Sequence, residues 1–379
     1  MSFCKHFKGD RPCKFYWVDK SCDCKDCKNF EHVEKRILLI KLGAIGDVVR
    51  VTPLAKALKE KYPNAQLTWL VGKVSKELLV ANPYIDRILE YNFETYMQLV
   101  AEQFDTLINL EKDSKTCALA MHCQAKNKLG YALSPKGYIV PFNKETQEHF
   151  EMCMDNYGKK TQNRKSYQEL MFDIVGLEFT NNDYELYFPD GEDEYLKNFK
   201  TKHGIKDNEI IIGMNTGCGP VYPHKKWTDD GYKEIIRRLR KKYNAKFIFL
   251  GTKSELELNK KIINDLAKEY DDASLFLFDM TAKTSLTEFG WLLKSCNITL
   301  TGDTSGLHIS LAMKTPTIAV FGPTPWQEIH MYNRGVALYA KDLDCMNCYD
   351  QFKCTVKPNC MERISITEMM DAIEKYIRI

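Results

Sequence analysis

The 379-residue sequence predicts an α/β protein built on two doubly wound parallel sheets. Short apolar segments alternate with amphipathic helical segments in two separate stretches of the chain, and the polar residues 180–196 divide those stretches. This alternation is typical of parallel strands joined by crossover helices. Ligands of such sheets bind beyond the carboxyl ends of the strands, so we expect two Rossmann-like domains facing a cleft.

The strand candidates are apolar segments of six or seven residues. In chain order they read ILLIKL, QLTWLVG, FDTLINL, EIIIGMN, KFIFLGT, SLFLFD, NITLTGD and TIAVFG. Two capping boxes predict helix starts, the first at Ser285 with Glu288 and the second at Ser365 with Glu368. We therefore predict a cysteine-rich extension (1–34), two Rossmann-like domains (35–185 and 186–362) and a C-terminal helix (363–379) that includes Ile373, Ile377 and Ile379.

Composition excludes several classes of function. Hydrophobic residues make up 44% and charged residues 28% of the chain, an ordinary balance for a globular protein. A net charge of +3 is too small for nucleic-acid binding by bulk charge. Apolar residues recur at helical spacing around the basic run RRLRKK (237–242), so the run is either a solvated helix face or a surface for anionic lipid or a charged acceptor.

The N-terminus is charged and contains cysteines, so it is not a signal peptide, and no apolar run approaches the ~20 residues of a membrane span. We therefore expect a cytoplasmic protein, with peripheral contact at the cytoplasmic face of the inner membrane as an alternative.

The segment ILLIKLGAIGDVV combines a buried strand, a loop with Gly43 and Gly46, and a helix start. Such a loop usually binds phosphate. Asp47 directly follows the second glycine, and its carboxylate would repel a phosphate. From the residues alone, Asp47 is either a helix cap or a group with a chemical role.

A second strand-to-helix loop reads TGDTSGLH. Small residues with N–H groups at a helix start form an anion cradle, which the helix dipole supports. The cradle residues are Thr304, Ser305, Gly306 and Leu307. Asp303 is expected to hold the loop by accepting backbone N–H bonds, and His308 is either a neutral donor to a sugar or phosphate oxygen or a packed histidine. A third loop, NTGCGPVYPHKKW, carries Lys225, whose charge suits a phosphate.

These clusters together resemble glycosyltransferase family 9, the bacterial ADP-heptose heptosyltransferases. The matching segments are ILLIKLGAIGDVVRVTPLAKALKEKYP, NTGCGPVYPHKKW, FLGTKSELE and LTGDTSGLHISLAMKTPTIAVFGPT. They span roughly residues 36–330 in the order found in the family. The resemblance implies the GT-B fold, with the acceptor on the N-terminal domain and the nucleotide sugar on the C-terminal domain.

The resemblance also implies residue roles. Asp47 corresponds to the catalytic base of the family, which takes the proton of the acceptor hydroxyl in an inverting transfer. Gly43 and Gly46 would let the acceptor approach the backbone, and Lys115 matches a lysine near the acceptor in some members, although its neighbourhood departs from the family pattern. The donor-side matches are Thr216 for phosphate, Glu255 for ribose, and Lys225 with the cradle residues for the leaving diphosphate. No catalytic metal is then required.

The fourteen cysteines are many for a reducing compartment, and they suggest metal binding or plain thiols. A C-x2-C-x5-C-x5-C pattern is formed by Cys345, Cys348, Cys354 and Cys360. It predicts a structural zinc or iron site, and similar cysteines bind iron in some relatives. A less regular set could hold a second metal, with His6 as a substitute ligand. Its members are Cys4, Cys13, Cys22, Cys24 and Cys27.

The function expected from the resemblance is transfer of a heptose from a nucleotide sugar, ADP-heptose, to the inner core of lipopolysaccharide or another surface glycan. A protein acceptor is the alternative within the same chemistry. An oxidoreductase is disfavoured because GAIG lacks the third glycine of the dinucleotide fingerprint. A rival from another class is a metal-binding scaffold or regulator with an inert transferase domain.

Overall fold

The computed structural model describes most of the chain, namely residues 4–20, 24–155, 162–219, 222–349 and 354–378. Cys22 and Ile379 lie outside the described residues. Contacts divide the chain into two units. The first consists of Met1–Gly43, Val51–Glu151 and Glu169–Glu185, and the second of Ala44–Arg50, Met152–Gln168 and Leu186–Ile379.

A six-stranded sheet with the strand order β3-β2-β1-β4-β5-β6 forms the centre of the first unit. All its strand pairs are parallel except β5 with β6. The elements up to this point in the chain are α1 (Lys14–Val18), β1 (Lys35–Ile40), α2 (Ile45–Lys61), β2 (Ala65–Val71), β3 (Arg87–Glu90), α3 (Phe93–Ala101), β4 (Gln103–Asn109), α4 (Ser114–His122), β5 (Gln124–Leu133), β6 (Ile139–Pro141), α5 (Lys144–Met154) and α6 (Tyr167–Val175).

A second six-stranded sheet has the order β12-β11-β10-β7-β8-β9, and all its strands are parallel. Residues 177–190, which contain most of the predicted linker, form neither helix nor strand. The elements that follow are α7 (Glu192–His203), β7 (Ile211–Asn215), α8 (Asp229–Tyr243), β8 (Lys246–Leu250), α9 (Leu256–Ala267), β9 (Leu277–Asp279), α10 (Leu286–Ser295), β10 (Ile298–Gly302), α11 (Ser305–Ala312), β11 (Thr317–Phe321), β12 (Gly335–Tyr339) and α12 (Ile366–Tyr376).

Both sheets have the same topology. Read in chain order within each unit, the strands lie as 3-2-1-4-5-6, so the order reverses between β1 and β4 in the first sheet and between β7 and β10 in the second. Loops that leave the carboxyl ends of the strands at such a reversal diverge and leave room for a ligand. The predicted α/β class with doubly wound sheets is confirmed. The loops that follow β1, β4, β7 and β10 lie at the two reversals.

Burial explains why the central strands read as continuous apolar runs. Every residue of β7, β8, β10 and β11 is buried, as expected for parallel strands covered by helices on both faces. Helix α12 adds Met369 and Ile373 to the core of the second unit. Its capping box at Ser365 and Glu368, and that of α10 at Ser285 and Glu288, are both formed as predicted.

The basic run lies on α8, and most of its charged side chains pair with acidic side chains. Arg237 pairs with Glu269 at 2.7 Å and Arg240 with Asp272 at 2.7 Å. Lys242 contacts Glu374 at 2.6 Å. These pairs favour the solvated helix face over a lipid-binding surface. In the part of the chain that the structure describes, no helix has the length and apolarity to cross a membrane.

Candidate active site

The candidate site of the second unit lies where its strand order reverses. Asn215 at the end of β7 is in register with Thr301 of β10, so the loops that follow these two strands are neighbours. One loop contains Thr216 and Lys225, and the other runs from Asp303 to the start of α11. The sequence marks both loops, but the strand adjacency that joins them is visible only in the structure.

Thr304 caps α11 and fixes the second loop. Its hydroxyl oxygen accepts the Gly306 N–H at 3.1 Å, and its carbonyl accepts the Leu307 N–H at 3.2 Å. Asn215 supports this arrangement by donating to the Thr304 hydroxyl at 2.7 Å. The N–H groups of two of the four predicted cradle residues, Gly306 and Leu307, therefore already have acceptors within the loop.

Ser305 is the donor that the cap leaves available. Among the described residues, the Ser305 N–H and hydroxyl have no hydrogen-bond partner, and the residue is only half-buried. Gly306 must lack a side chain, because a Cβ there would lie 2.3 Å from the Asn215 amide nitrogen. The helix start can therefore present Ser305 to an anion, with the dipole of α11 in support.

Lys225 and Asp303 form a half-buried ion pair. The Lys225 Nζ lies 2.7 Å from Asp303 Oδ2, and the Thr324 hydroxyl donates to the same oxygen at 2.7 Å. Burial alone would raise the pKa of Asp303, but the Lys225 charge and these hydrogen bonds hold that pKa below its usual value. Among the residues that the structure describes, the donors to the Asp303 carboxylate are thus the side chains of Lys225 and Thr324, and not the backbone N–H groups expected from the sequence.

The Asp47 loop packs directly against the start of α11 within this second unit. A Cβ on Gly46 would lie 2.8 Å from the His308 ring and 3.4 Å from the Ser305 Cα. Only glycine permits this approach. His308 is buried, and burial together with the nearby Arg50 charge lowers its pKa to about 3, so its imidazole is neutral at physiological pH.

Asp47 lies in the first turn of α2 with its side chain about one-third exposed. Arg50, one turn further along, places Nη1 3.4 Å from Asp47 Oδ1. Its Nη2 donates to the Glu328 carbonyl at 3.1 Å, and its guanidinium lies 3.9 Å above the Tyr167 ring. Arg50 is therefore held in place by these contacts and can orient the Asp47 carboxylate.

The predicted acceptor residues Gly43 and Lys115 belong to the first unit. Glu111, which follows β4 at the reversal of that sheet, accepts the N–H groups of Leu42 at 2.7 Å and Gly43 at 3.0 Å. A Cβ added at Gly43 would meet no atom within 4 Å. Lys115 is exposed in the first turn of α4, 5.1 Å from the Tyr91 ring. Their contact with an acceptor stays a prediction.

Thr216 and Glu255 are buried and already bonded. The Thr216 hydroxyl donates to the Asn259 side chain, which in turn donates to Thr281 at 2.8 Å. Glu255 accepts four hydrogen bonds, two on each oxygen, which occupies the acceptor sites of a carboxylate. The donors are the Thr252 N–H and hydroxyl (both 2.8 Å), the Ser254 hydroxyl (2.7 Å) and the Gly219 N–H (3.4 Å).

These contacts give Glu255 a structural role. Its side chain lies so close to Gly217 that a Cβ there would come within 1.9 Å of the Glu255 Cγ. A contact with ribose would have to replace one of its protein donors, so that contact, like the phosphate contact of Thr216, stays a prediction.

The C-terminal cysteines lie near one another. Burial raises the pKa of Cys360 to about 11, and the neighbouring thiols of Cys348, Cys354 and Cys345 add to this shift. Within the described ranges, however, no three cysteine, histidine or acidic side chains are close enough to share a metal ion. The predicted zinc or iron therefore stays a prediction for this cluster.

Sequence reasoning missed the residues that support the loops. Asn215, Glu111 and Arg50 each bond a predicted site residue or its loop. Arg50 could have been found from its i,i+3 spacing to Asp47. The other two required knowledge of which strands are neighbours.

The two sheets and their strand reversals define a protein of the doubly wound, two-sheet α/β class. A sequence model of glycosyltransferase family 9 (heptosyltransferase) matches residues 93–358, which is more than half of the chain. The protein belongs to this family and is a glycosyltransferase.

Curated relatives of known name are similar over most of their length. The lipopolysaccharide core heptosyltransferase OpsX of Haemophilus influenzae is 24% identical over 308 residues, which cover 77% of this chain and 80% of the relative. Lipooligosaccharide heptosyltransferase 2 of Campylobacter jejuni is 24% identical over 340 residues, which cover 87% of this chain and 96% of the relative.

Solved structures share the GT-B fold. A family 9 glycosyltransferase from Veillonella parvula superimposes with a TM-score of 0.69 at 18% identity, covering 92% of this chain and 98% of that one. The ADP-heptose lipopolysaccharide heptosyltransferase II of Escherichia coli gives 0.67 at 15% identity, covering 90% and 98%. The iron-containing dodecameric glycosyltransferase TibC of enterotoxigenic E. coli gives 0.56 at 12% identity, covering 91% and 76%.

Proposed function

We propose that this glycosyltransferase transfers a heptose from ADP-heptose, with inversion, to the inner core of lipopolysaccharide, and that Asp47 is its general base. The named relatives act in lipopolysaccharide or lipooligosaccharide synthesis, and one solved structure is named for ADP-heptose. The reaction takes place in the cytoplasm, in keeping with the expectation from the sequence.

One observation carries the proposal, namely the contact of the Asp47 loop with the start of α11. Gly46 lies against His308 and Ser305, so the neighbouring residue Asp47 lies close to the proposed anion-binding start of α11. A carboxylate suited to accept a proton and a helix terminus suited to receive an anion are the two groups that an inverting transfer requires.

In the proposed step, the acceptor hydroxyl oxygen attacks the anomeric carbon of the donor while Asp47 takes the hydroxyl proton. The bond from the anomeric carbon to the β-phosphate oxygen breaks, and its electron pair stays on that oxygen. The products are the glycosylated acceptor, ADP and a protonated Asp47, which then loses its proton to solvent. Attack opposite the leaving group inverts the anomeric configuration.

Ser305 and Lys225 receive the charge of the leaving diphosphate. Ser305 offers an N–H and a hydroxyl at the positive end of α11. The Lys225 ammonium has three N–H groups, two of which are directed at Asp303 oxygens, at 2.7 and 3.3 Å, so the third is available to a phosphate oxygen. Because Asp303 neutralises much of the Lys225 charge, Ser305 and the helix terminus make the larger contribution. No catalytic metal forms part of this proposal.

A donor panel with defined acceptors tests the proposal. Purified protein is incubated with ADP-heptose, ADP-glucose or UDP-glucose, together with heptose-deficient lipopolysaccharide, and nucleotide release is measured with the anomeric configuration of the product. Nucleotide release from ADP-heptose but not from the other two donors, together with a product of inverted anomeric configuration, supports the proposal. Release from UDP-glucose instead, or retention of configuration, contradicts it.

A second experiment distinguishes a lipopolysaccharide acceptor from a protein acceptor. A protein acceptor replaces the lipopolysaccharide, and sugar incorporation is followed by intact mass. Transfer to protein but not to lipopolysaccharide would contradict the proposed acceptor while leaving the donor and the base intact. Binding of ADP-heptose without turnover on either acceptor would favour the inert scaffold.

A further inference from the structure

The N-terminal extension lacks a hydrophobic core of its own. None of its described residues between 4 and 34 is buried, and its helix α1 has five residues. Phe7 is 46% exposed and Trp17 is 62% exposed. A chain segment that buries so little apolar surface needs another source of stability, usually disulfides or a metal ion.

Four thiols of this extension line one small cavity. The cavity has a volume of about 70 Å³, and aromatic rings form much of the remaining wall. Its cysteines are Cys4, Cys13, Cys24 and Cys27. Among the described residues none of them forms a disulfide. Four cysteines around one aromatic-walled cavity supply the number and type of ligands that a tetrahedral metal ion takes.

Tight turns present these thiols. The carbonyl oxygens of Cys4, Cys13 and Cys27 each accept the N–H of the residue three positions later, at distances of 3.0 to 3.1 Å. Those later residues are Phe7, Tyr16 and Phe30, and all three line the cavity. Cys24 and Cys27 add the C-x2-C spacing found in structural zinc sites.

A lysine directly follows each of the four cysteines in the sequence: Lys5, Lys14, Lys25 and Lys28. Four thiolates around a divalent ion carry a net charge of −2, which neighbouring lysines offset. Cys22, by contrast, is followed by Asp23. The charge pattern therefore separates Cys22 from the other four.

His6 also lines the cavity but has other contacts. Its Nε2 lies 2.8 Å from Glu31 Oε1, and its ring packs edge-on against Phe15. Lys5 joins the extension to the rest of the first unit through Asp86 at 2.7 Å, and Cys4 forms a β-bridge with His32. These contacts hold the start of the extension in place around the thiols.

We propose that Cys4, Cys13, Cys24 and Cys27 bind one structural divalent ion, Zn²⁺ or Fe²⁺, as a tetrahedral tetrathiolate. Binding converts four thiols to thiolates, forms four metal–sulfur bonds and releases four protons. No three of the described ligand-type side chains are yet close enough to share an ion, so binding draws the turns inward around the cavity. The ion replaces the hydrophobic core that the extension lacks.

Metal analysis of the full chain tests this assignment. Zinc and iron per protein are measured for the parent and for Cys24→Ser, both carrying Cys345→Ser so that the C-terminal cysteines do not contribute. We expect one equivalent in the parent and none in Cys24→Ser. Cys22→Ser and Cys117→Ser, the latter removing a buried thiol outside the cavity, should retain the ion. Equal metal in parent and Cys24→Ser, or loss in Cys22→Ser, would overturn the ligand set.

Cobalt titration keeps the proposal testable if Cys24→Ser does not fold. The Cys345→Ser protein is stripped with chelator, titrated with Co²⁺, and followed by absorbance. Tetrahedral d–d bands with thiolate charge-transfer absorption that saturate at one equivalent, and that Zn²⁺ abolishes, support the site. Absence of these bands, acid-labile sulfide in the purified protein, or a disulfide between any of the four cysteines would overturn it.

Discussion

Replacement of Gly46 by alanine perturbs the contact between the Asp47 loop and α11. The added Cβ would lie 2.8 Å from the His308 Cδ2. Carbon atoms in contact prefer about 3.5–4.0 Å, so the two elements must separate by roughly 0.7–1.2 Å. His308 is buried and Gly46 lies in the first turn of a helix, so neither can yield at small cost.

The size of the effect follows from that separation. Overpacking of this kind costs about 1–3 kcal/mol, which corresponds to a fall in melting temperature of roughly 2–12 °C for a domain of this size. A displacement of about 1 Å between Asp47 and the start of α11, where the nucleotide sugar is proposed to bind, lowers kcat about 100-fold. Melting temperature by scanning fluorimetry and kcat from ADP release measure the two effects.

Gly43→Ala is the matched control for Gly46→Ala. It adds the same methyl group three residues earlier in the same loop, where a Cβ meets no atom within 4 Å. We expect a parental melting temperature and kcat, with any effect confined to the KM of the acceptor. If Gly46→Ala keeps its parental melting temperature and a kcat within twofold of the parent, the inferred contact is wrong.

Three further predictions concern single side chains. Burial alone would raise the pKa of Glu102, but paired hydrogen bonds from Arg87, at 2.7 and 2.8 Å, help to lower it from 4.5 to about 2. Glu102 therefore contributes up to about 3 kcal/mol to the free energy of unfolding above pH ~4.5, and this contribution is lost as the pH falls towards 2. The free energy of unfolding of Glu102→Gln, measured by urea denaturation, should depend less on pH across this interval and should differ least from the parent near pH 2. Glu255→Gln places an amide NH₂ opposite hydrogen-bond donors and should destabilise the protein by about 2 kcal/mol; an unchanged urea midpoint would contradict its structural role. Ser305→Ala should raise the KM of the donor about tenfold without a change in melting temperature, and an unchanged KM would remove Ser305 from the anion site.

The sequence was most informative where local physics decides the structure. The central strands are buried on both faces and read as apolar runs, and both capping boxes have the required residues at the required spacing. The edge strand β12 (Gly335–Tyr339) was not predicted. Its residues after Gly335 are only half-buried, so the apolar run that marks the other strands is weaker there.

The candidate site could be predicted only in part. Glycines and small residues after strands marked the loops of Asp47 and Ser305. The residues that hold those loops, such as Asn215 and Glu111, come from the neighbouring strand at each reversal of strand order, which depends on topology and leaves no local pattern.

Residue type alone also could not show whether a polar group has a partner. The roles proposed for Lys225 and Glu255 assumed side chains available to a ligand. In the folded chain, Lys225 pairs with Asp303, and Glu255 accepts four protein hydrogen bonds. Such pairings arise from tertiary packing, and they change how much charge or hydrogen-bonding capacity each group offers to a nucleotide sugar.

The role of Asp47 is tested most directly by Asp47→Asn, which keeps the size of the side chain and removes its ability to accept a proton. With ADP-heptose as donor, kcat should fall by about 10²–10⁴. The affinity for ADP, measured by calorimetry, should stay within twofold of the parent. A variant that binds ADP normally and turns over within tenfold of the parent rate would contradict the assignment of Asp47 as the base.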